Sequence, residues 1–157
     1  MWRQCIRAVT IAALVGMTAP SLAQTAQSNE AAAVRAANSA YLAAFSARDI
    51  AAMEAAWTKS TDVAAIHPFS RAPLSGWDAV RASYVETFGR FKDVAVTTNE
   101  AHVAVNGNTA WVVGTETLRG HRPNGEAFTA PSMSTNIFQK LGDRWLMVLH
   151  HAAGVPQ

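Results

Sequence analysis

The residues through which this chain of 157 residues could do chemistry are few: five histidines, two tyrosines and one carboxylate set in an apolar run. His67 precedes Pro68 at the end of the short apolar segment Val63–Ile66. An imidazole titrates near neutral pH, so a histidine closing a strand at a pocket mouth can serve as a base. Tyr41 falls on the apolar side of a helical repeat. There it either packs in the core with its hydroxyl on a backbone carbonyl or donates a hydrogen bond into a cavity. Glu116 interrupts the strand-like run Ala110–Leu118, sharing a face with Val112, Gly114 and Leu118. Such a carboxylate is either solvated on an outer sheet face or half-buried in a pocket, where desolvation raises its pKa. His150 and His151 are adjacent, and neighbours on a strand point to opposite faces, so only one of them lines a pocket. Trp111 is the tryptophan expected near a ligand, whereas Trp57, Trp77 and Trp145 fit core positions. His102 and His121 read as structural or rim residues.

Other chemistries lack their signals. There is no glycine-rich phosphate loop, no paired-cysteine zinc spacing and no Gly-x-Ser-x-Gly elbow. A zinc site would need His67, one of His150 and His151, and a third ligand such as Glu116, but no pair has ligand spacing. No metal and no cofactor is expected.

The elements that must position these residues follow from periodicity. Asn29 can cap a first helix whose apolar stripe is Val34, Ala37, Tyr41 and Phe45. Asp49 caps a second, lined by Ile50, Met53 and Trp57. Val63–Ile66 and Ala72–Leu74 can form a hairpin, interrupted at His67-Pro68 because proline gives no N–H to a ladder. Ser75 can cap a third helix with the stripe Trp77, Val80, Tyr84 and Phe88, ended by Gly89. The period then drops to two. Strands are expected over Val94–Val105, Thr109–Arg119, Phe128–Lys140 and Arg144–His151, joined by short turns rich in glycine and asparagine. Connections this short make an antiparallel meander. The predicted fold is α+β, a curved, cone-shaped antiparallel sheet packed on three N-terminal helices.

Composition bounds the rest. Half the chain is hydrophobic and 15% is charged, as in a globular domain. Residues 1–23 read as a signal peptide: basic Met1–Arg7, an apolar run Ala8–Ala19 too short to span a bilayer, then Pro20 and Ser21-Leu22-Ala23. Cleavage is expected after Ala23, giving a periplasmic or secreted protein with no membrane attachment. Gln24–Ser28 reads as a flexible leader, and residues 29–157 as one domain. The single cysteine, Cys5, leaves with the signal. Two of the 13 basic residues, Arg3 and Arg7, leave too, balancing the rest against its 11 acidic residues. A balanced body has no basic excess to attract nucleic acid.

The pattern resembles the nuclear transport factor 2-like superfamily, which includes ketosteroid isomerase, SnoaL-type cyclases, scytalone dehydratase and the association domain of calcium/calmodulin-dependent protein kinase. The run Gly142 to Pro156, with Trp145, His150, Gly154 and Pro156, is similar to the ending of the association domain. Thr129-Ala130-Pro131-Ser132, Thr135-Asn136-Ile137-Phe138 and Asp78-Ala79-Val80-Arg81 also resemble that group. Arginines of its anion-binding pocket fall at Ala152, Asn136 and Glu116, so that pocket is not implied here, while an inward Glu116 is. The placement of Tyr41 ahead of Asp49 and Trp57 resembles the surroundings of the isomerase's oxyanion-hole tyrosine, and His67-Pro68 falls where the isomerase has its aspartate base and a proline. The resemblance implies proton removal by His67 and oxyanion stabilisation by Tyr41. The isomerase's second donor, an aspartate, falls near Ser134, Thr135 and Asn136.

Three functions are compatible with these residues. One is an exported enzyme or binding protein acting on an apolar small molecule by cofactor-free proton transfer, as an isomerase, dehydratase or cyclase. Its site would comprise Tyr41 and His67, with Glu116, Trp111, Asn136 and one of His150 and His151 contacting the ligand. The others are a non-catalytic ligand-binding module and a homodimerisation domain. A two-fold dimer is expected in each case.

Overall fold

The computed structural model describes residues 22–155, so the expected signal segment up to Ser21 lies outside the described residues. Helix α1 spans Leu22–Ala47 and α2 spans Ile50–Ala56. Strand β1, Ala64–Ile66, and strand β2, Leu74–Ser75, precede helix α3, Trp77–Phe88. Strands β3, Asp93–Asn106, β4, Thr109–His121, β5, Ala127–Leu141, and β6, Arg144–Gly154, complete the chain. All six strands of the described residues form one sheet in the order β2-β1-β6-β5-β4-β3.

Local chemistry fixes most boundaries. Asp49 caps α2 as expected, its Oδ1 accepting from Ala51 N at 2.9 Å and Ala52 N at 3.0 Å. Two starts differ from expectation. Helix α1 takes in Gln24–Ser28, expected as a leader, so Asn29 lies inside the helix and does not cap it. Nothing between Leu22 and Asn29 breaks a helix, and glutamine and alanine favour one. Helix α3 is capped by Gly76 and not by Ser75, which belongs to β2. Gly76 has φ +81°, a left-handed conformation that glycine adopts freely. Its N–H donates to Val63 O at 2.8 Å, and Trp77 N–H to Ser60 O at 3.0 Å, so the loop before β1 satisfies the helix start.

Strands β3 to β6 make the predicted meander, but the sheet is mixed. Strand β1 runs parallel to β6, with Ala65 opposite His150 and Ile66 opposite His151. Such a pair needs a long connection, here α3 and the whole meander. Register shifts between Asn99 and His102 and between Ile137 and Phe138 mark irregularities that bend the sheet. At Gly120 a Cβ would lie 2.1 Å from Asp93 O, so only glycine permits that close crossing of β3 and β4. The helices cover the concave face. Val34, Met53, Trp57, Val80, Phe138 and Met147 are buried between the layers. Glu30 ties α1 to the sheet, accepting from Lys140 Nζ and from Trp145 Nε1 at 2.9 Å.

Candidate functional site

One end of the interior is hollow. A cavity of about 140 Å³ lies between α1, the segment after β1, and strands β4 to β6. Tyr41, Phe45, His67, Glu116, Ser132 and His150 reach it from four elements and that segment. Its walls are mostly carbon, from residues such as Leu42, Val96 and Leu118. Exposed Phe69, Ala130 and Gly154 stand at its rim.

His67 owes its place to the end of β1. The backbone turns at Pro68, with Ser70 N–H donating to His67 O at 2.9 Å and His67 N–H donating to Ser70 Oγ at 3.0 Å. The ring is 6% exposed and packs edge-on to Tyr84, with centroids 5.2 Å apart. Its Nε2 lies 3.1 Å from Ser83 Oγ, and the Ser83 hydroxyl donates to Val80 O at 2.7 Å. A hydroxyl whose proton is committed can only accept, so His67 carries its proton on Nε2 and leaves Nδ1 with a lone pair. Burial lowers its pKa to about 4. At neutral pH it is an uncharged acceptor.

His150 packs beside it on the wall of the hollow, ring centroids 5.5 Å apart and tilted by 42°. Its tautomer is set by Asn136, which is 1% exposed. Asn136 Nδ2 donates to Asn38 Oδ1 at 2.8 Å and to Glu116 Oε1 at 3.2 Å. Both amide protons are thereby used, and the amide oxygen accepts from His150 Nδ1–H at 2.7 Å. His150 therefore keeps its lone pair on Nε2. Burial, with His67 and His151 nearby, lowers its pKa to about 3.

Tyr41 completes the group. Tyr84 donates to its hydroxyl oxygen at 3.3 Å, and His150 Nδ1 lies 3.4 Å from the same oxygen. Tyr84 presents its proton to that oxygen, and His150 Nδ1, whose proton is committed to Asn136, has no lone pair to accept one, so the proton of Tyr41 is free to point into the hollow. Burial, then the nearby Tyr84 and Glu116, push its pKa well above the ordinary phenol value. It stays protonated and acts as a donor. Burial also raises the pKa of Glu116, against the opposing effect of hydrogen bonds from Ser134 and Asn136.

The structure thus brings together Tyr41, His67, Glu116 and His150. Asn136 belongs to the group but sits behind the lining, where it orients His150 and Glu116. Trp111 and His151 do not belong to it. Glu116 and Val112 point inward, so Trp111, at an odd position on the same strand, points to the outer face. His151 is exposed on that face because its neighbour His150 is buried. His102 is exposed, and His121 pairs with Asp93 at 3.0 Å on the surface. Two contributors were not foreseen. Asn38 is 4% exposed and its signal is a polar residue within the stripe Val34, Asn38, Tyr41, Phe45. Ser83, half-buried beside Tyr84, carries no such signal.

Comparisons with known proteins come from three directions. The sequence model of the SnoaL-like domain matches residues 34–156. No curated protein sequence matches the chain. Solved structures do. A proposed dehydratase of the nuclear transport factor 2-like family from Streptomyces avermitilis superposes with a TM-score of 0.76 at 25% identity, covering 83% of this chain and 99% of that one. A proposed calcium/calmodulin-dependent protein kinase type II association domain from Thiobacillus denitrificans gives 0.68 at 32% identity, over 78% of this chain and 94% of that one. A ketosteroid isomerase-like protein from Erwinia carotovora atroseptica gives 0.69 at 24% identity, over 82% and 98%, and attests the fold.

Proposed function

The chain belongs to the SnoaL-like domain family, a branch of the nuclear transport factor 2-like fold, and on that footing we propose that it is a small-molecule-binding enzyme acting by cofactor-free proton transfer. The observation that carries this reading is the pairing of one free lone pair, on His67 Nδ1, with one free hydroxyl proton, on Tyr41, in a single apolar hollow. A neutral ring ketone held there would place its carbonyl oxygen on the Tyr41 hydroxyl. His67 Nδ1 would remove a proton from the adjacent carbon, and the hydrogen bond from Tyr41 would strengthen as charge gathers on oxygen. The imidazolium then returns its proton, to another carbon in an isomerisation or to a departing hydroxyl in a dehydration. Tyr41 acts by donating and not by ionising, because burial and Glu116 hold its proton in place. A base with a pKa of about 4 is fully available at neutral pH. The dehydratase description of the Streptomyces avermitilis relative is in keeping with this class.

The test is wash-in of deuterium from heavy water into cyclohexenone. The wild-type chain should catalyse it down to about pH 4, and His67→Ala should lose about 100-fold or more. An unchanged rate in His67→Ala would remove the base and with it this reading, leaving a binding module.

Export and assembly are part of the proposal. The mature chain would begin at Gln24, and the mass of the protein recovered from a periplasmic or secreted fraction checks this. Homodimerisation through the outer sheet face is supported by Val113 and Met133, 41% and 55% exposed there. Light scattering at micromolar concentration should give twice the monomer mass, and a monomer would contradict it.

A further inference from the structure

The hydrogen-bonding inventory of the hollow is lopsided, and this narrows what it can hold. Two uncharged rings pack side by side on its wall with centroids 5.5 Å apart, each with one nitrogen committed to the protein: His67 Nε2 to Ser83, and His150 Nδ1 to Asn136. No described residue makes a hydrogen bond to His67 Nδ1 or to His150 Nε2. Glu116 adds a carboxylate to the same wall, already donated to by Asn136. Against these lone pairs stands one free donor, the Tyr41 hydroxyl. The volume, about 140 Å³, matches a single ring, since a cavity of roughly 150 Å³ holds benzene.

We propose that the hollow selects an uncharged single-ring compound bearing at least two hydroxyl groups, one for each imidazole lone pair, and excludes ring carboxylates. Deepening the function proposed above, this names the substrate class of the same site: a hydroxylated cyclic ketone or its enol, with the oxygen at the reacting carbon on Tyr41, a hydroxyl on His150 Nε2, and His67 Nδ1 facing the acidic C–H of the ketone or, in a ligand that does not react, a second hydroxyl. A ring without hydroxyls leaves both nitrogens unpaired once water is expelled. An anion brings only acceptors to two rings that offer only lone pairs, and it is stripped of its water in a hollow walled mostly by carbon. Sites built to receive a hydroxyl reject analogues lacking it strongly, because the buried partner is left bare.

The probes are resorcinol, phenol, toluene and benzoate, one ring each, titrated calorimetrically into the purified chain. Affinity should fall in the order resorcinol, phenol, toluene by about tenfold or more per hydroxyl lost, with benzoate weakest. His150→Phe should abolish the advantage of resorcinol over phenol while phenol still binds. Equal affinities across the first three, or benzoate binding as tightly as resorcinol, would overturn the inference on the wild-type chain alone, whether or not the variant folds. Because no turnover is measured, the outcome is separable from the His67→Ala exchange experiment. Loss of exchange with the affinity ladder intact leaves the ligand class standing, and the reverse result leaves the chemistry standing without it.

Discussion

The two ends of the cone interior are built on the same strands and the same helix, yet one is solid and the other hollow. At the solid end β5 and β6 turn Phe138, Met147 and Trp145 inward, against Met53 and Trp57 of the helical layer, and all are buried. Further along the same strands the inward positions become Asn136, Ser134 and Ser132 on β5, and His150 and Ala152 on β6. On β4 they pass from Ala110 and Val112 to Glu116. Side-chain volume drops at the level where polarity rises. The solid end anchors the helices to the sheet by burying carbon. The hollow end gives up that burial, and its polar groups survive because Asn136 satisfies three of them at once. Stability should therefore be concentrated at one end and selectivity at the other.

Substitutions can break or sharpen this division, and the largest effect is expected at the solid end. Trp57→Ala should cost about 3–5 kcal/mol in urea unfolding, while the folded fraction keeps its order of preference among ring ligands. A change in that order would mean the ends are coupled. Next comes acid. His67 and His150 are held neutral in the native chain, with pKa values lowered from 6.5 to about 4 and about 3. Below 6.5 the unfolded chain takes up these protons first, so stability falls as pH drops, until each native ring protonates in turn. His67 alone contributes roughly 3 kcal/mol of this loss. Glu116 works in the opposite sense: its raised native pKa lets the native chain bind a proton first, which offsets part of the decline. Unfolding free energies measured from neutral pH downward should show the fall, and His67→Phe should shrink it. A flat profile would contradict the buried, neutral rings.

Asn136→Leu should cost about 1–3 kcal/mol, because it strips partners from His150 Nδ1–H and Asn38 and leaves Glu116 less held. It should also weaken ligand binding by freeing the His150 ring. The smallest effect separates neighbours. His151→Ala, on the outer face, should change stability by less than about 0.5 kcal/mol and leave ligand affinity intact, although it lies one residue from a member of the site.

That last pair also shows where the sequence stopped speaking. The helical stripes were legible because apolar spacing at period 3.6 places Tyr41 without ambiguity, and the meander because its turns are short. The alternation along β4 paired Glu116 with Val112, but which face was inward came from the family resemblance and not from spacing. On β6, counting by twos from buried Trp145 and Met147 leads to His151. The register shift opposite Ile137 and Phe138 inserts one residue and reverses the parity, so His150 is the one that turns inward. Nothing in the letters announces that bulge. Gly76 in place of Ser75 as a cap has the same origin, a backbone conformation decided by docking onto the Ser60 and Val63 carbonyls.

The central claim is that two uncharged imidazoles, protonated on different nitrogens, line one hollow with their lone pairs free. Nitrogen-15 NMR of histidine-labelled protein, followed from neutral pH into acid, tests it most directly. His67 should appear as the Nε2–H tautomer and His150 as the Nδ1–H tautomer at neutral pH, titrating near 4 and 3 while the fold persists. A ring at either position that is cationic at neutral pH, titrates near 6.5, or carries its proton on the other nitrogen would contradict the account.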